Sequence, residues 1–90
     1  MPGLNGNLFQ RLRARIRDFE DRKISAADLS REIFHIAREI DAEGEPLLRR
    51  RLEMFGNQVS AVISQDFAEP TPRVLKLVDQ IESELVEWGY

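Results

Sequence analysis

The stretch Ile24-Ser25-Ala26-Ala27-Asp28-Leu29 reads as a complete helix start, and a start placed there requires a preceding helix to end near Arg22. Ser25 is placed to accept from the backbone N–H three residues on, and Asp28 to reach back to the Ser25 N–H. Ile24 and Leu29 are spaced to pack across the cap as a hydrophobic staple. Two helices joined by a tight turn are the consequence.

Apolar periodicity extends that hairpin into four helices, expected over about 7–22, 26–43, 46–67 and 72–88. The first carries Leu8, Leu12, Ile16 and Phe19 with Phe9 beside them, and the second carries Leu29, Ile33, Ile36 and Ile40 before Gly44 as a left-handed stop. Pro46 suits a first helical turn, and Leu48, Leu52, Phe55, Val59 and Val62 repeat behind it. Thr71 is expected to cap the fourth helix with Pro72 at its first position, and Val74, Val78, Ile81, Leu85 and Trp88 follow on one stripe. No segment alternates with period two, so no sheet is expected. The fold class is all-α, with an antiparallel up-down-up-down bundle as the simplest closure and a three-helix core with a detached first helix as the alternative.

Ninety residues make one domain spanning 1–90, and the absence of cysteine rules out disulfides and thiolate metal sites. The N-terminus has no basic segment leading into an apolar core, and no apolar run approaches membrane-spanning length, so a cytoplasmic protein without membrane contact is expected. Charge is uneven. Residues 1–51 hold eleven basic against nine acidic side chains, and residues 52–90 hold two against seven.

No catalytic constellation stands out, so no enzyme activity and no cofactor are expected. The single histidine, His35, projects opposite the apolar stripe of the second helix, where a solvated position is expected. With Glu32 and Glu39 it offers one carboxylate-histidine pattern, but a metal site needs further inward ligands and no second histidine exists. The serines have no histidine-centred partner to activate them. The arginines of the first helix divide into two borders, Arg11, Arg15 and Arg22 on one side of the apolar stripe, Arg13 and Arg17 on the other. A split basic surface in a chain of pI near 5.1 argues against direct nucleic-acid binding.

Three features point to protein recognition. On the fourth helix Leu75, Asp79, Glu82 and Val86 share a face that mixes carboxylates with apolar residues, the composition of a steered interface. On the third helix Leu47, Met54 and Ala61 form a surplus stripe, which either lies between two flanking helices or faces a partner. Phe34, off the stripe of the second helix, either packs sideways or anchors a partner.

The order of a first helix ending Phe19-Glu20-Asp21-Arg22-Lys23, the Ile24 to Leu29 helix start, two further helices and an amphipathic C-terminal helix resembles the bacterial self-protective colicin-like immunity proteins, the family of the colicin D immunity protein. The resemblance implies a small four-helix protein that binds the nuclease domain of a cognate toxin and blocks its active site. It further implies that acidic residues contact the toxin's basic cleft, here Asp79, Glu82 and Glu87, or Asp41, Glu43 and Glu45 in the second connection. The function expected is therefore that of an immunity protein or antitoxin, with a homo-oligomeric helical adaptor as the alternative.

Overall fold

A computed structural model of the chain describes residues 6–40, 46–66 and 68–90. Four helices follow one another: α1 (Gly6–Glu20), α2 (Ala26–Glu39), α3 (Pro46–Gln65) and α4 (Thr71–Glu87). Among the described residues there is no strand. Each helix packs on its chain neighbours and α1 also meets α4, closing a ring within an envelope of 40 × 21 × 19 Å.

The expected helix start is present at Ser25. Its Oγ accepts from the Asp28 N–H at 3.1 Å, and the Ser25 N–H donates to Asp28 Oδ2 at 3.2 Å. Those bonds from Ser25 favour the ionised carboxylate and hold Asp28 below its ordinary range. Ile24 packs against the edge of the core and Leu29 is fully buried.

Helix ends depart from expectation by a few residues, each for a local reason. α1 stops at Glu20 rather than 22, because the Lys23 N–H bonds to the Asp18 carbonyl at 2.8 Å and the Arg22 N–H to Phe19 at 3.0 Å, with Arg22 at a φ of 62°. The same pair of bonds ends α4, where Tyr90 reaches Leu85 at 2.8 Å and Gly89 reaches Val86 at 3.1 Å around a φ of 88°. This is the Schellman arrangement, and it wants glycine at the left-handed position. α4 has glycine there and α1 has arginine. Arg22→Gly is therefore expected to stabilise the protein by about 0.5–1 kcal/mol, since a side chain in that region costs about 1 kcal/mol or more. A rise in the urea midpoint with an unchanged slope checks it.

α2 ends at Glu39, before the expected 43, because Ile40 turns extended (φ −66°, ψ 133°) and inserts into the core at 2% exposure. Gly44, the expected stop, lies outside the described residues. α3 ends at Gln65 rather than 67, with a last bond from the Asp66 N–H to the Val62 carbonyl. α4 starts one residue early: Pro70, not Thr71, occupies the cap, it is itself helical (φ −75°, ψ −18°), and no side chain caps that end. The Pro70 carbonyl accepts from Val74, so Thr71 already lies in the first turn.

The core is the sum of the four stripes. Phe9, Leu12, Ile16 and Phe19 of α1 are buried with Leu29, Ile33 and Ile36 of α2, Leu52, Phe55, Val59 and Val62 of α3, and Val74, Val78, Ile81 and Leu85 of α4. Leu8, Leu48 and Trp88 close its edges half-buried. The first helix is thus integral to the core, and the three-helix alternative is set aside.

The largest interface joins α2 to α3, and small residues bring the two together. The Phe34 ring lies across Gly56 so closely that a Cβ there would sit 2.9 Å from Phe34 Cζ. Beside it the Ser30 and Ser60 hydroxyls bond at 2.7 Å, and Ser30 Oγ also donates to the Gly56 carbonyl at 3.4 Å. Phe34 therefore packs sideways on its neighbour helix, half-buried.

Candidate recognition surface

The expected face of α4 is divided by its packing. Leu75 is half-buried and packs against the core. Glu82 is half-buried and turned toward α1, where Arg13 and Arg17 attract its carboxylate and Glu20 and neighbouring Asp79 repel it. Asp79 and Glu87 are exposed, and Val86 is 69% exposed. What remains outward is Asp79 and Val86 on one flank and Glu87 on the other. Asp41, Glu43 and Glu45 lie outside the described residues.

Burial, followed by repulsion from Glu20, raises the Glu82 carboxyl above its ordinary range. A carboxyl raised on folding favours the folded state below its unfolded pKa. It loses that contribution as pH rises through the raised value. Glu82→Gln is accordingly expected to increase stability at pH 7 relative to the parent and to leave it unchanged near pH 3, a pH-dependent difference that urea unfolding at the two pH values measures.

A second surface lies between the first half of α3 and the last turns of α4. It is a groove of about 360 Å³ lined by Leu47, Leu48, Arg50, Arg51, Met54, Glu84 and Trp88. Leu47 is 76% exposed and Met54 37%, so the surplus stripe of α3 is not covered by its two neighbours; Ala61 is exposed with them. The reason is angular. α2 and α4 flank the core seam of α3, and the stripe leans outward beyond α4.

Arg51 is held in the groove wall by three contacts. Its Nε donates to Glu84 Oε1 at 2.8 Å, its Nη1 donates to Met54 Sδ at 3.7 Å, and its guanidinium stands 5.0 Å from the centre of the Phe55 ring. Glu84 Oε2 is buried and has no hydrogen-bond partner among the described residues. Sequence spacing gives no hint of this pair, because its members are 33 residues apart. Leu47 and Met54, by contrast, are visible as apolar residues in excess of one stripe.

Two arginines of α1, one on each expected side, serve as struts to other parts of the fold. Arg11 pairs with Glu32 at 3.0 Å and Glu39 at 2.8 Å on α2, and Arg13 Nη2 donates to the Tyr90 carbonyl at 3.1 Å beyond α4. Both glutamates that flank His35 are thereby engaged, and His35 is exposed as expected. Among the described residues no cluster of potential ligands is arranged to hold a metal, and no helix is long and apolar enough to cross a membrane. Comparison of the chain with family models, with curated proteins and with solved structures gives no match.

Proposed function

We propose that this chain is a non-enzymatic cytoplasmic inhibitor that binds a cognate nuclease-type toxin, as an immunity protein or antitoxin, on an antiparallel up-down-up-down scaffold. The pairing of positions across every seam supports the scaffold. Arg11 early in α1 meets Glu39 at the end of α2; Phe34 meets Gly56 while Ser30 meets Ser60; Arg51 meets Glu84 while Gln65 meets Arg73; and Phe9 stacks on Tyr90. Along the α2–α3 and α3–α4 seams the number rises on one helix as it falls on the other.

The observation that carries the binding reading is the outward surface of α4, where Val86 and the Asp79 carboxylate stand exposed on one flank and the Glu87 carboxylate on the other. A nuclease cleft is cationic because it must hold phosphates. Carboxylates steer such a cleft into place, and a desolvated apolar contact then holds the complex. Co-expression with the product of the adjacent gene tests the reading. Relief of toxicity is expected, and a folded triple variant Asp79→Lys, Val86→Asp, Glu87→Lys is expected to lose it. Toxicity unaffected by the parent chain would sink the proposal.

A further inference from the structure

We infer that the outer face of α3 is a self-association surface, on which a second copy of the chain lies antiparallel with Met54 near the two-fold axis. The observation behind it is a coincidence of two patterns on one helix. Leu47, Met54 and Ala61 recur every seven residues and stand outside the core, covering about 21 Å of helix. A seven-residue stripe drifts only about 20° per repeat, so a second helix crossing at a shallow angle can follow it. That length of seam suits a helix better than a small ligand.

The second pattern is charge. Residues 54–65 form the longest uncharged run in a chain that is 32% charged, and Asn57, Gln58, Ala61, Ser64 and Gln65 within it are exposed. Depletion of charge on an exposed helix face is the composition of an interface centre. The charges of α3 lie instead in its first half, where Arg50 is exposed.

Those halves complement one another only when two copies run in opposite directions. With Met54 on the axis, Leu47 faces Ala61 of the other copy, large against small. Either side of that line Arg50 then lies beside Asn57 and Arg51 beside Gln58 of the other copy, so both arginines that border the stripe meet an amide able to accept a hydrogen bond. A parallel register would set Arg50 against Arg50, and like charges in contact oppose association. A two-fold, self-complementary contact of this kind closes at the dimer. Its single helix pair falls at the small end of protein interfaces, so a reversible dimer with a dissociation constant on the order of 100 μM is expected.

The chain contains no cysteine, which makes the register directly testable by introduced ones. At about 0.5 mM protein under mild oxidation, Met54→Cys is expected to cross-link to itself, while Arg50→Cys mixed with Asn57→Cys gives the mixed dimer in preference to either homodimer. Met54→Glu, with helicity unchanged by circular dichroism, is expected to sediment as a monomer where the parent chain associates. A parent chain that stays monomeric to about 1 mM, a Met54→Glu variant that still dimerises, or Arg50→Cys homodimers that outrun the mixed product would each overturn the inference. None of these readouts involves the α4 surface assigned to the toxin, so the two proposals fail separately.

Discussion

Phe55→Ala is expected to lower the stability of this protein by about 3–5 kcal/mol. Phe55 is 1% exposed and belongs to the core shared by all four helices. A domain of 90 residues is held by roughly 5–13 kcal/mol in total. One truncation therefore removes roughly a quarter of the stability at least and all of it at worst. The change has a second effect. Arg51 loses the ring it stands over, and with it one of three contacts that orient its guanidinium toward Glu84. Urea unfolding should show the midpoint collapse, and Leu47→Ala, at an exposed position on the same helix, should stay within about 0.5 kcal/mol of the parent. A loss below about 1 kcal/mol for Phe55→Ala would mean that this residue is not in the core.

The residues legible in advance are those whose role is decided by neighbours in the chain. Ser25 and Asp28 bond to each other three residues apart, and the core stripes follow from spacing alone, so cap and core positions were accessible. Helix ends were not, because competing local forces choose them. Ile40 leaves α2 to bury itself, and Arg22 accepts a left-handed backbone where no glycine signals one. The recognition surface was legible only in half. Val86 and Asp79 are exposed, yet Leu75 and Glu82, at similar angles on α4, are half-buried, Leu75 against the core and Glu82 toward Arg13 and Arg17 of α1. A wheel gives the direction of a side chain and not the position of the neighbouring helix that covers it. The Arg51–Glu84 pair was hidden for the same reason, being a product of how two helices meet.

Gly56→Leu is expected to be nearly as damaging as the loss of Phe55, at about 3 kcal/mol, although leucine is the better helix former. The whole side chain would enter the tightest part of the α2–α3 interface, against a ring already within 3.1 Å of an added Cβ. The alanine variant separates the two opposing effects. Replacing glycine by alanine inside a helix is worth about 1 kcal/mol by itself, because the unfolded chain has less freedom to lose. Against that, Cβ contacts of 2.9–3.1 Å with three atoms of the Phe34 ring force the ring to move or the helices to part, and the Ser30–Ser60 hydrogen bond at 2.7 Å lies in the same seam. Gly56→Ala in the parent chain is therefore expected to destabilise by about 1 kcal/mol net, the overpacking outweighing the propensity gain. Once Phe34→Ala has removed the ring that makes the three nearest contacts, the same substitution is expected to stabilise by up to about 1 kcal/mol. A double-mutant cycle by urea denaturation reads the difference as a coupling of about 2 kcal/mol with a reversal of sign. An additive result would show that glycine stands at this position for its backbone alone, and that the ring of Phe34 does not set the distance between α2 and α3.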